Sequence, residues 1–351
     1  MEVLAGDIGG TKTLLAVAEV AAGQPSSGLR IDLKSERRYE SAKYPGLAAI
    51  CQEYQRAEGR KLPAHAGFGV AGPVKNGRSQ TTNLPWILDE RDLARTLGFL
   101  TVRLANDFHA LALGIPALGQ AHLVTLQEGA RDPLGPCALI GAGTGLGEAV
   151  LVPAGGPRYT VIATEGGHND FAPRDETEIG ILRFLLRRYQ HVSWERVLSG
   201  DGIVNLAEAL AEITRTPIPE RIALAIASDR ASAPALITSA AEDDPLCRRV
   251  LETFASIYGA EAGNLALKTL ATGGVYIAGG IAPKVLPFLT DGRFRESFLA
   301  KGRMRHLLEA MPVSLMLQSD AALLGAAALA AHAATESREG RHMQATEQGA
   351  Q

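Results

Sequence analysis

Cysteine is scarce: Cys51, Cys137 and Cys247 are the only three in 351 residues. Three scattered thiols exclude a disulfide framework and a Cys-rich zinc site, and they read as reduced, mostly buried side chains. Positive charge is not in excess either. Lys and Arg number 35 against 38 Asp and Glu, a formal net charge of −3, which argues against a dedicated binder of nucleic acid or of an anionic membrane surface. The longest apolar run, AALLGAAALAA from Ala321, is too short and too rich in small residues to span a bilayer. The opening MEVLAGDIGG has no basic n-region and no apolar h-region, so no secretory signal is expected. A reducing cytoplasm is the expected setting. What the chain does have is 46% hydrophobic and 21% charged residues, ordinary for a globular protein with a real core, and a length that suggests two domains.

The first stretch of interest is LAGDIGGTKTLLAV, Leu4–Val17, in which two apolar flanks enclose Asp7, Gly9, Gly10, Thr11 and Lys12. A plain hairpin needs only one or two residues able to take positive φ. A turn that must admit a polyanion to its backbone needs glycines, free N–H groups and a charged residue nearby. The flanks predict antiparallel strands over Glu2–Ile8 and Thr13–Val20, with a third strand near Leu29–Tyr39 and a helix from about Gly46 to Glu58. AHAGFGVAGPV (Ala64–Val74) reads as a buried strand ending in a Gly-Pro turn. A polar loop with TTNLPW and a short helix around Asp89–Leu97 follow. TVRLANDFHALALGI then runs from a strand into an Ala/Leu helix, with Asn106-Asp107 at the junction.

The second half repeats this design. CALIGAGTGLGEAVLV (Cys137–Val152) is again apolar strand, glycine turn, apolar strand, and VSLMLQSDAALLGAAALAA is again a strand entering a small-residue helix, with Asp320 as its expected N-cap. Between them lie helical patterns around Thr177–Tyr189, Asp201–Ile213 and Asp244–Leu270, and the strand GGVYIAGGI (Gly273–Ile281). The polar tail, Thr335–Gln351, has no periodicity and is expected to be disordered.

One glycine turn is weak evidence. Two, in matching positions of two related halves and followed by a strand ending in Gly279-Gly280, are stronger: set face to face they would offer opposing N–H groups to one triphosphate. In this order GDIGGT (Gly6–Thr11), NDFHALALG (Asn106–Gly114), GAGTGLG (Gly141–Gly147), YIAGGI (Tyr276–Ile281) and SDAALLGAAAL (Ser319–Leu329) resemble the phosphate turns, connecting helices and adenosine strand of the sugar kinase–actin ATPase superfamily. TEGGHNDFAPRDETE (Thr164–Glu178) and HVSWERVLSGDGIVNL (His191–Leu206) resemble the sugar-site segments of the bacterial glucokinase family. The chain departs from many of that family in carrying Lys12 where they have asparagine, a form also seen among related repressor/kinase sugar kinases, whose Cys-rich zinc motif it lacks.

The resemblance implies an α/β chain with the two-lobed, duplicated ribonuclease H-like (actin-like ATPase) fold and a cleft between lobes. Residues 1–111 with 318–334 would form the small domain, 112–317 the large one, and 335–351 a disordered tail. It implies ATP-dependent phosphorylation of D-glucose to glucose 6-phosphate, with ATP and Mg²⁺ as cofactors. Partners would be the sugar and ATP, with no nucleic acid and no membrane, and a homodimer is the one self-association left open. Asp107, which alone would be taken for an N-cap, becomes the general base, kept ionised by the helix N-terminus; phosphoryl transfer asks it mainly to orient the attacking hydroxyl. Asn106, Glu165, His168 and Glu195 become sugar binders, with Asn83 a weaker candidate at the rim and Asp170 structural. Gly6, Asp7, Ile8, Gly9, Gly10, Thr11 and Lys12, together with Gly143, Thr144, Gly145, Gly279 and Gly280, become the nucleotide site, Asp7 also helping to hold magnesium.

Other readings are a kinase for mannose, fructose or N-acetylglucosamine, a sugar-sensing regulator on the same fold, and an actin-like filament protein. The regulator would need a DNA-binding module, for which neither the residues before Gly6 nor the tail provides room.

Overall fold

The glycine hairpin at the start of the chain joins the first two strands of a sheet. In the computed structural model, which describes residues 1–22, 29–81, 84–155, 159–317 and 320–349, β1 (Glu2–Ile8) and β2 (Lys12–Ala22) pair antiparallel in the register Asp7↔Leu14 and Ile8↔Thr13. β3 (Leu29–Glu40) continues the meander, and helix α1 (Leu47–Glu58) buries Leu47, Ile50, Cys51 and Tyr54. β4 (His65–Val70) then lies parallel to β1 and is buried along its whole length, as a central parallel strand should be. It ends, as its sequence predicts, at the Gly-Pro turn: the chain breaks at Gly72 (φ 151°) and starts a small antiparallel sheet of β5 (Val74–Lys75), β6 (Arg78–Gln80) and β7 (Ile87–Asp89). Helix α2 (Glu90–Leu97), capped by Asp89, leads to β8 (Thr101–Asn106) and α3 (Asp107–Gly114). The sheet order is β3-β2-β1-β4-β8.

By contact density the chain forms two compact units, residues 1–120, 151–162 and 318–351, and residues 121–150 and 163–317. The second unit's sheet is built from β9 (Leu123–Gln127), β10 (Cys137–Ala142), β11 (Leu146–Pro153), β12 (Tyr159–Thr164), β13 (Gly274–Ala278) and β14 (Val313–Met316), in the order β12-β11-β10-β13-β14-β9. Its first five positions repeat the first sheet strand for strand, and β9 is added antiparallel at the edge. Helices α4 (Glu176–Leu186), α5 (Gly200–Thr214), α6 (Glu220–Ser228), α7 (Ala233–Ala240) and α8 (Pro245–Thr269) contribute most of its large core, in which Tyr258, Phe254, Phe294 and Phe298 are fully buried. Burial of apolar side chains, aliphatic and aromatic together, is the main favourable term in a domain of this size.

The last helix, α9 (Asp320–Gly349), is part of the first unit. Its small residues let three backbones meet. A Cβ on Gly325 would stand 1.6 Å from the carbonyl oxygen of Ala110, one on Gly114 2.0 Å from that of Ala321, and one on Gly67 2.1 Å from that of Ala326. The Ala/Gly composition therefore serves close packing of α9 on α3 and β4. The helix also runs on to Gly349, where composition alone suggested no regular structure beyond residue 334. Among the described residues no helix is long and apolar enough to cross a membrane.

Candidate active site

The first glycine turn closes with the Gly9 N–H on the Lys12 carbonyl at 2.9 Å. Neither Gly9 nor Gly10 takes left-handed φ, so conformational freedom is not what fixes glycine here. Gly9 sits so close to the Lys12 carbonyl oxygen, 3.0 Å from an added Cβ, that bulk would distort the turn. Thr11 is exposed and Gly10 half-exposed. Gly6 and Ile8 belong to the sheet instead: a Cβ on Gly6 would meet Phe68 at 2.6 Å, and the Ile8 side chain is wholly buried in the core. Only their backbones can face a ligand.

Ser41, which nothing in the sequence marked, braces this turn. Its hydroxyl donates to the Gly9 carbonyl at 2.8 Å and meets the Thr13 hydroxyl at 3.0 Å, while its N–H donates to the Thr11 carbonyl. The side chain is fully buried.

Asp7, at the end of β1, has a carboxyl pushed up to about 6, first by burial and then by the negative charge of Asp107, with Lys12 pulling the other way. At the junction of β8 and α3 the cap is Asn106, not Asp107: the Asn106 Oδ1 accepts the N–H groups of Phe108 and His109, and its amide donates to the Gly72 carbonyl at 3.2 Å. Asp107 is the first residue of the helix, its Oδ1 accepting the Phe108 N–H at 2.8 Å. Burial raises its carboxyl above the ordinary range, opposed by that N–H and by Asn106. The helix terminus thus acts in the expected direction, and burial outweighs it.

In the second unit, the Gly143 N–H donates to the Gly145 carbonyl at 2.8 Å, and the Gly143 carbonyl accepts the Gly200 N–H at 2.9 Å, tying the turn to the start of α5. Thr144 is exposed. Gly279 (φ 86°) lies with its Cβ position 2.2 Å from the Ala142 carbonyl oxygen, which also accepts the Ile281 N–H. This brings Gly279-Gly280 beside the turn. A pocket of about 490 Å³ opens here, lined by Gly143, Thr144, Arg230, Pro234, Ile281 and Lys284. Arg230 was not anticipated from the sequence; Asp201, Asn205 and Glu208 hold its guanidinium at 2.5, 2.8 and 3.1 Å.

Glu165, His168 and Glu195 come together. The His168 ring lies 4.0 Å from the Glu165 carboxylate through Nε2 and 3.9 Å from the Glu195 carboxylate through Nδ1. The Glu165 side chain is 92% exposed and Glu195 only 30%, because Glu195 Oε2 accepts the Leu146 N–H at 3.0 Å, next to the glycine turn. Gly166-Gly167 is required by packing: an added Cβ would fall 2.0 Å from Glu148 Oε2 at Gly166 and 2.2 Å from the Leu146 carbonyl oxygen at Gly167. Asp170 pairs with His191 at 2.8 Å. Asn83 lies outside the described residues.

No group of three or more His, Cys, Asp or Glu side chains able to hold a metal occurs among the described residues. A magnesium ion that completes its shell with phosphate oxygens and water would ask only one or two carboxylates of the protein, and the carboxyl of Asp7, flanked by Asp107 and Lys12, is of the chemistry it would need.

The family model for glucokinase matches residues 4–333. A glucokinase of Nostoc sp. is 42% identical over 343 residues, covering 94% of this chain and 98% of that one. A glucokinase of Shigella dysenteriae is 37% identical over 328 residues, covering 93% and 95%. Among solved structures, a glucokinase from an Antarctic psychrotroph superposes with a TM-score of 0.83 at 30% identity, covering 94% of this chain and 99% of that one. With the strand order duplicated in both units and these matches spanning nearly all of it, the chain belongs to the glucokinase family.

Proposed function

We propose that the protein is a cytoplasmic ATP-dependent glucokinase that moves the γ-phosphoryl group of ATP to the 6-hydroxyl of D-glucose. Asp107 is the general base. A carboxyl lifted by burial is a better proton acceptor than a solvated one, and its place at the start of α3 fixes its direction. It accepts the hydroxyl proton as the O–P bond forms. The loose transition state leaves orientation as the larger part of its task. Asn106 holds Asp107 from the side as well as capping the helix, and Glu165, His168 and Glu195 bind hexose hydroxyls, which demand donors and acceptors at fixed angles.

The backbone N–H groups of Gly9, Gly10 and Thr11, and those of Gly143, Thr144 and Gly145, bind phosphate oxygens, and Lys12 adds charge. The pocket beside Gly279-Gly280 takes the nucleoside. Magnesium, held through Asp7 and the phosphates, would neutralise charge on the terminal phosphates.

The observation that carries the catalytic assignment is the half-buried Asp107 at a helix N-terminus, beside Asp7 on β1. Asp107→Ala should lower kcat for glucose by roughly 10²–10⁴ in a Mg-ATP assay while calorimetric ATP binding is retained. Undiminished turnover would overturn it. A panel of mannose, fructose and N-acetylglucosamine tests the hexose, for which glucose should give the highest kcat/KM.

A further inference from the structure

Beneath the Glu165–His168 segment lie two carboxyl groups that the proposed reaction does not use. Glu148 points inward from β11 and Glu261 from α8; the first is 3% exposed and the second is fully buried. Glu148 Oε1 lacks any partner, and Glu261 Oε1 has no hydrogen bond beyond the Lys268 ammonium 3.5 Å away. Two ionised carboxylates can only accept, so neither could satisfy the other. A single proton between them gives Glu148 Oε1 the partner it lacks.

The other donors nearby are committed. The Tyr258 hydroxyl faces the carbonyls of Ile140 and Ala278 and accepts the Ala142 N–H. Asn264 donates to Glu261 Oε2 at 2.7 Å. Lys268 stands 3.5 Å from Glu261 Oε1. Lys301 donates to the Ala260 carbonyl and the Asn264 Oδ1, with Arg174 and Glu178 farther along the same charged cluster. Burial raises the Glu261 carboxyl too, but Asn264, Lys268 and Lys301 all oppose that rise, and with the positive groups on its side Glu261 is the member of the pair that keeps the charge.

The remaining Glu148 oxygen faces the sugar segment. Oε2 lies 2.0 Å from where a Cβ on Gly166 would be, and Thr164, whose hydroxyl accepts the Gly166 N–H, donates that hydroxyl to the Glu148 carbonyl. We infer that Glu148 is a positioning residue: protonated and hydrogen-bonded to Glu261, it forms the floor that sets the height of Gly166 and so the placement of Glu165 and His168. This rests on the reading of Glu165 and His168 as sugar binders. Burial and the charge of Glu261 lift the Glu148 carboxyl to about 7, so its proton is lost as pH rises through neutrality. Two adjacent negative charges then push the floor apart.

The test is the KM for glucose on either side of pH 7 in the wild type and in Glu148→Gln, whose amide can donate to Glu261 at every pH. The wild-type KM should rise several-fold above neutrality, with kcat and the KM for ATP changing far less. In Glu148→Gln that rise should vanish and the low-pH value persist. Glu148→Leu, which fills the space without a donor, should show the raised KM throughout. Infrared difference spectra should show a protonated-carboxyl carbonyl band below neutrality that Glu148→Gln lacks. Parallel KM profiles in wild type and Glu148→Gln, or absence of that band, overturn the inference. If the band is present but Glu165→Gln and His168→Gln leave the glucose KM unchanged, it is the sugar-site reading that fails.

Discussion

Glu195 Oε2 and the N–H of Leu146 are joined at 3.0 Å, so the second glycine turn and a proposed sugar ligand are fixed to one another through a single hydrogen bond. A Cβ on Gly145 would stand 2.4 Å from that same oxygen. Gly145→Ala should therefore displace Glu195 and weaken both ends of the pair. Since misplacing a binding group by about 1 Å can cost roughly 100-fold, kcat/KM for glucose should fall by about that much while the melting temperature changes little. Steady-state kinetics with glucose varied, alongside calorimetry, checks it.

Asp7 gives a prediction of opposite sign for stability and activity. Its folded-state carboxyl is raised from 3.8 to about 6. Its contribution is complete below pH 3.8 and is lost as pH rises through 6, so at neutral pH the ionised group is a net cost to the ligand-free fold. Asp7→Asn should thus stabilise the ligand-free protein at neutral pH by roughly 3 kcal/mol and lose that advantage at pH 4. The same variant should raise the magnesium needed for half-maximal turnover. Thermal melts at the two pH values and a magnesium titration read both effects.

Much of this was legible beforehand. The glycine turns, the two strand-to-helix junctions and the segments proposed to bind the sugar carry residue types that few other structures need together, and the strand positions follow from their apolar runs. Asp107 and Asn106 were both singled out, but which of them caps α3 depends on where the backbone turns helical, and only coordinates decide that. That Gly166-Gly167 packs against Glu148 and Leu146 of β11 carried no local signal, because the contact joins segments distant in sequence. Gly6 and Ile8 adjoin the turn in sequence; pairing with Leu15 and Phe68 leaves no room for a side chain at Gly6, and pairing with Thr13 and Val70 puts the Ile8 side chain in the core. Ser41 and Arg230 carried no local signal, since each acts on residues distant in sequence.

Ser41 supports the first turn through its hydroxyl bonds to Gly9 and Thr13. Ser41→Ala leaves the Gly9 carbonyl without that donor in a buried place, which should cost about 1–2 kcal/mol of stability. It should also raise the KM for ATP more than that for glucose, because the loosened backbone is the one proposed to bind phosphate. Comparing the two Michaelis constants separates this from general destabilisation, in which both would move together.

The contact of α9 with α3 carries the last prediction. Gly325 approaches Ala110 so closely that an added Cβ would fall 1.6 Å from its carbonyl oxygen, and Ala110 is one turn along from Asp107 on the same helix. Neither backbone can yield without separating the helices, so Gly325→Ala should destabilise by about 1–3 kcal/mol, the usual cost of overpacking. Ala-for-Gly at an exposed helical site would instead stabilise, so the sign of the change alone tests the packing. Because α3 must shift to admit the methyl, Asp107 moves with it, and kcat should fall at temperatures where the variant is still folded. A variant as stable as the wild type in urea, with unchanged kcat, would show that the two helices do not meet at this point.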